Sequence, residues 1–154
     1  MTTKNLILLV FSLFILSCSK KEENIAPLES PELIEMRKQK AIWEARKIKS
    51  YTVDHMKLCY CFDTGRYKLV VKNNVIESAF NIDSNKFEDP NVIKGLKTID
   101  QLYTFIESTL KTNPYFSLIK YDETGFPTRA SFDINIQIAD EEIEYFNGGL
   151  VEIK

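Results

Sequence analysis

Between Arg129 and Ile138 apolar and polar residues alternate without a break, with Ala130, Phe132, Ile134, Ile136 and Ile138 on one side and Arg129, Ser131, Asp133, Asn135 and Gln137 on the other. Successive side chains of a strand point to opposite faces, so this segment calls for a sheet with one face buried and one face wet. Something else in the chain must supply the cover.

Two helical patterns do so. Ser30-Pro31 is a helix start, with Ser30 as N-cap and Pro31 at the first position, where a missing N–H costs nothing. The helix is expected to run to about Ile48, burying Ile34, Ala41, Ala45 and Ile48, widened by Leu33 and Trp43. Thr98-Ile99-Asp100-Gln101 is a capping box opening a second helix, with Ile99, Leu102, Tyr103, Ile106 and Leu110 as its buried stripe and Asn113-Pro114 as its stop.

The other segments read as strands: 51–62, 66–72, 75–81, 115–122 and 128–138. Asn73-Asn74 joins two of them as a hairpin turn, and 143–146 with 150–153 forms a last strand or short hairpin around Asn147-Gly148-Gly149. Residues 82–97 are polar and irregular, a binding loop or an element without a clear signature. The expected fold is α+β, an antiparallel sheet of about five to six strands with two helices packed on one face, in a single domain over 31–154.

The start of the chain has another character. Lys4 precedes an apolar run from Leu6 to Leu16, a signal-peptide layout. Eleven residues span about 16 Å as a helix, half of a bilayer core, which suits a cleaved segment better than a permanent span. Ile15-Leu16-Ser17-Cys18 follows and resembles the bacterial lipobox. The resemblance implies cleavage after Ser17, a diacylglyceryl group on the Cys18 thiol and acylation of the new amino group, together a stable anchor. Residues 1–17 are then a lipoprotein signal peptide and 18–30 a lipidated cysteine with a tether. The run Lys20-Lys21-Glu22-Glu23 reads equally as a surface-export signal or a solvated linker.

A further resemblance rests on an ordered set of residues: Tyr51, Cys59-Tyr60-Cys61, the run from Thr98 to Leu102, Lys120-Tyr121-Asp122, Gly125 to Thr128, Asp133 and Asp140-Glu141-Glu142. Over about 40–150 the chain resembles a family of secreted bacterial proteins and lipoproteins known only as domain of unknown function 6174. It departs from that pattern in the short stretch between Cys61 and Arg66, where a longer, proline-rich turn is expected. The resemblance implies a fold and no activity, substrate or cofactor.

Three readings of Cys59 and Cys61 stay open. Outside the cytoplasm, with Cys18 lipidated, the remaining cysteine count is even, which favours a structural disulfide. Alternate strand residues lie about 6.6 Å apart, the outer limit for a disulfide, so a local bend is needed. A redox pair is the second reading, although no thioredoxin-like context surrounds it. The third is a metal site with His55, which falls on the same strand face; a fourth ligand is lacking, so monovalent copper suits it better than zinc. The carboxylates Asp122, Asp133, Asp140, Glu141 and Glu142 read as wet hairpin rims before a calcium or acid-base site. Asp83 to Asp89 begins like a calcium loop but fails at Phe87, Glu88 and Lys94.

A net charge of −2 offers no excess to neutralise phosphates, so nucleic acid is not an expected partner. No hydrolase, phosphate-loop or zinc-protease motif is present. The expected protein is a non-catalytic binding or structural module without cofactor, anchored in an outer membrane facing periplasm or cell surface and binding an envelope protein or small ligand. The alternative is a redox or metal-handling protein using Cys59, His55 and Cys61.

Overall fold

A computed structural model describes residues 29–154. The expectations for a signal peptide, a cut before Cys18 and a tether through residue 28 lie outside the described residues. Helix α1 (Pro31–Ala45) leads into strands β1 (Tyr51–Cys59), β2 (Gly65–Lys72), β3 (Val75–Asn81) and β4 (Lys86–Phe87), followed by helices α2 (Pro90–Gly95) and α3 (Ile99–Lys111) and strands β5 (Phe116–Tyr121), β6 (Pro127–Asp133) and β7 (Ile143–Glu152). The α+β class holds, but the sheet has seven strands, in the order β4-β3-β2-β1-β7-β6-β5 with every pair antiparallel.

The short strand β4 inside 82–97 adds the seventh strand, and the short helix α2 beside it makes three helices where two were expected. Asp89 caps α2 by accepting from the N–H groups of Asn91 and Val92, and Pro90 takes the first helical position. This cap-plus-proline signal is the one that opens α1, where Ser30 accepts from the Leu33 N–H at 3.2 Å. Of the two alternatives for the last segment, the single strand is the one formed, over ten residues. Gly149 absorbs a bulge there: Thr52 faces Val151 while Asp54 faces Gly148, so β7 holds one residue more than β1. At φ +59°, with an added Cβ 2.6 Å from an Asp54 oxygen, position 149 requires glycine.

The alternation through Ile138 ends early. Strand β6 stops at Asp133, and Ile134, Ile136 and Ile138 are exposed in a loop that leaves the sheet. The reason is pairing: β5 begins at Phe116 opposite Asp133 and β7 begins at Ile143 opposite Phe132, and past them the Tyr115 N–H donating to the Ile134 carbonyl at 3.3 Å is the last link across to β5. Without a partner for its backbone, an alternating sequence does not stay a strand.

Helix α1 is also rotated from the expected stripe. It buries Leu33, Met36 and Trp43, while Ile34, Ala41 and Ala45 face outward; Ile48 is buried beyond the helix end. Trp43 sets the rotation, because its ring packs against Tyr51 and Phe126 and its Nε1–H donates to Asp100 Oδ1 at 2.8 Å.

Helices α1 and α3 cover one face of the sheet. Tyr51, Val53, Tyr67, Leu69, Val71, Ala130, Phe132 and Tyr145 meet Leu33, Met36, Leu102, Tyr103 and Ile106 in a single core. The capping box of α3 is complete: the Gln101 N–H donates to Thr98 Oγ1 at 3.2 Å and the Thr98 N–H to Gln101 Oε1 at 2.9 Å. Thr98→Ala is therefore expected to cost about 1 kcal/mol, read as a lowered midpoint in urea unfolding.

Candidate functional site

The side chains of β1 alternate, and Tyr51, Val53, His55, Lys57 and Cys59 turn toward the helices. His55 and Lys57 are thereby carried beneath the cover, where a polar group needs a partner. His55 is 2% exposed, with Nδ1 2.7 Å from Asn147 Oδ1. Asn147 Nδ2 donates to the Pro127 carbonyl at 2.8 Å, which fixes the amide, so Nδ1 carries the imidazole proton and donates it to Asn147. Nε2 is buried without a hydrogen-bond partner among the described residues. Burial, the larger cause, lowers the His55 pKa to about 4; Lys57 and Lys97 push the same way, against the Asn147 bond and Asp63. The ring is neutral at pH 7.

Lys57 finds its partner in Asp63, at 2.5 Å and buried on both sides, and also donates to the Gly95 carbonyl at 3.3 Å. The Tyr67 hydroxyl donates to the Asp63 carbonyl at 3.1 Å, tying this turn to β2. A Cβ on Gly95 would lie 1.8 Å from an Asp63 oxygen, so α2 can close over the pair only with glycine there. Lys97 stands 5.2 Å from the centre of the Phe105 ring, and burial with the neighbouring Lys57 lowers its pKa.

Strand β1 ends at Cys59 and the chain turns at once. Cys59 and Cys61 are joined as a disulfide with Cα atoms 5.2 Å apart, closer than the spacing of an extended strand and consistent with the expected bend. Because Cys61 lies past the strand end, it does not share a strand face with His55. The acidic group gathered beside the two sulfurs is instead Asp63; ligand atoms of the three lie within 4.8 Å of one another. Sequence spacing could not select Asp63, because its approach depends on the turn that follows Cys61.

The opposite face of the sheet is open. Asp54, Met56, Arg66, Lys68, Ile82 and Phe146 line a concavity of about 480 Å³ there. Its charges are paired unequally, Lys68 loosely with Asp54 at 3.5 Å and Arg66 tightly with Asp83 at 2.5 Å, while Met56 and Phe146 supply the apolar floor. No sequence motif marked this place. The available signal was two large apolar residues on the wet side of their strands, Met56 and Phe146, which become opposite neighbours when β7 pairs with β1.

The five carboxylates separate. Asp122 closes the β5–β6 turn by accepting from Thr124 and Phe126, whereas Asp133, Asp140, Glu141 and Glu142 lie at the other end of the sheet, where Glu141 accepts from the Asn135 N–H. They serve as turn caps and rims. Asp83, first residue of the rejected calcium loop, is bound to Arg66.

Residues 35–151 match the model of the family of unknown function DUF6174, well over half of the chain. The chain belongs to that family. The match runs from the second turn of α1 into β7 and takes in His55, Cys59, Cys61, Asp63 and Asn147, so the DUF6174 domain is the whole helix-covered sheet. No curated protein and no solved structure matches the chain. No helix among the described residues is long and apolar enough to cross a membrane.

Proposed function

We propose that this DUF6174 protein is a non-catalytic envelope lipoprotein, held to a membrane through Cys18, whose domain binds a partner or small ligand on its open sheet face. The observation that carries this reading is the division between the two faces. On the covered side His55 is sealed and neutral, Lys57 and Asp63 neutralise each other, and both sulfurs of Cys59 and Cys61 are used. On the open side a concavity with an apolar floor and charged rim is available to a ligand that has an apolar body and a polar end. Ligand chemistry of that kind needs shape and a few polar contacts, and no group held at a reactive pKa.

The anchor is tested by weighing the intact protein from native membranes. A chain beginning at Cys18 and carrying acyl mass is the expected result, with Cys18→Ser leaving the membrane fraction; a mature chain that begins upstream of Cys18 or lacks fatty acid overturns it. Binding on the open face is tested with Phe146→Ala, expected to weaken capture of the bound molecule about tenfold while leaving urea unfolding within about 1 kcal/mol.

The redox or metal-handling alternative has one observation behind it, the approach of Asp63 to the two sulfurs. Thiol titration decides between the readings. Two thiols that appear only after strong reductant fit a structural disulfide, whereas thiols accessible without reductant, or copper retained through purification, fit the alternative.

A further inference from the structure

Large apolar residues in water are not spread evenly over this domain. Strand directions place the turns after β1, β3 and β6, and the entry to β5, at one end of the sheet. That end exposes Tyr60 (84%), Phe62 (78%), Tyr115 (63%) and Ile136 (62%), with Ile134 and Ile138 beside Ile136. The strands that deliver these loops, β1, β7, β6 and β5, are consecutive in the sheet, so at about 4.8 Å per strand the tips lie within roughly 15–20 Å of one another. Exposed patches of this kind mark contact with a protein or a membrane.

The loops are also held firmly. The Cys59–Cys61 disulfide brackets Tyr60, and the buried Lys57–Asp63 pair fixes the residue after Phe62. The turn therefore presents two aromatic rings outward on a base that cannot retract them into the core.

The position of the chain's entry identifies what covers this end. Helix α1 starts there: Ser30 and Glu32 line one cleft with Asn113, Pro114, Tyr115 and Phe116. Cys18 is twelve residues before Ser30, and twelve residues reach at most about 40 Å even when fully extended. A lipid on Cys18 thus roots its tether at the apolar end, and the opposite end with Asn73, Asn74 and Gly125 lies a strand's length farther from the point of attachment.

We propose that this end docks on the bilayer, with Tyr60, Phe62 and Ile136 entering the boundary between headgroups and acyl chains. The inference rests on the Cys18 anchor proposed above and adds an orientation to it. Tyrosine suits that depth because its ring is apolar and its hydroxyl stays wet. Asp140, Glu141 and Glu142 border the patch, which favours zwitterionic over anionic lipid. Docked this way, the domain turns both edges of its sheet and the open-face concavity sideways, accessible to a ligand moving along the membrane surface.

The test uses the full-length protein in phosphatidylcholine vesicles with and without chain-brominated lipid, which quenches nearby indole. The parent has one tryptophan, the buried Trp43, as background. Tyr60→Trp and Ile136→Trp are expected to lose about twofold more emission in brominated vesicles, while Val75→Trp, exposed at the other end, loses none. Equal emission from position 60 in both vesicle types overturns docking: red-shifted emission then places the patch in water, and blue-shifted emission places it against a second copy or another protein. Vesicle flotation, read in the same samples, separates the failures. Flotation without quenching sinks the docking alone, and loss of flotation with no acyl mass sinks the anchor and the docking together.

Discussion

Asp63→Ala is expected to destabilise the domain by about 3–5 kcal/mol, because it leaves the Lys57 ammonium buried with only the Gly95 carbonyl as partner. Unfolding in urea, followed through Trp43, measures it. The pair itself need not be strongly stabilising, since desolvating two ions offsets most of their attraction. Lys57→Met combined with Asp63→Leu should therefore lose far less than the single change. If Asp63→Ala costs under about 1 kcal/mol, water reaches Lys57 and the covered face is not sealed.

The second large effect is on pH. The His55 imidazole titrates near 6.5 when the chain is unfolded and is lowered to about 4 in the fold, chiefly by burial, with Lys57 and Lys97 adding to it against Asn147 and Asp63. Between those values the unfolded chain binds a proton that the folded chain refuses, so stability rises with pH across that window. It is fully present above about pH 6.5, falls as the pH drops toward 4, and amounts to about 3 kcal/mol. His55→Phe should remove this contribution and flatten the profile from pH 6.5 to 4.5, at a constant cost of about 1–3 kcal/mol for the Asn147 oxygen left without its donor. Urea midpoints at several pH values for both proteins decide it; parallel profiles would mean that His55 is already hydrated.

Most local rules in the sequence matched the fold, the exception being the Asp89-Pro90 cap of α2, which lies in a segment expected to be irregular. The Thr98 capping box, the Asn73-Asn74 hairpin and the bounds of β3 follow from hydrogen bonds and backbone angles settled within a few residues. Alternation through Ile138 misled because a strand persists only while it has neighbours, and those are set by where β5 and β7 begin. The open-face floor was illegible for the same reason, since Met56 and Phe146 come from segments far apart in the chain. Asp63 is close to Lys57 and Cys61 in sequence, but its approach depends on the shape of the turn after Cys61. Cys59 and Cys61 could be paired from their count, while the exclusion of His55 from that pair required knowing where β1 stops.

The strand order puts the first strand and the last one side by side at the middle of the sheet. Until residues 143–152 take their place, the polypeptide consists of a four-stranded half and a two-stranded half, each with a raw margin of unpaired amides facing the other. Loss of those ten residues would therefore do more than shorten the protein: it would split the sheet along its centre and leave two sticky borders open to neighbouring copies. Strand β7 is thus the clasp that joins the two halves of the molecule.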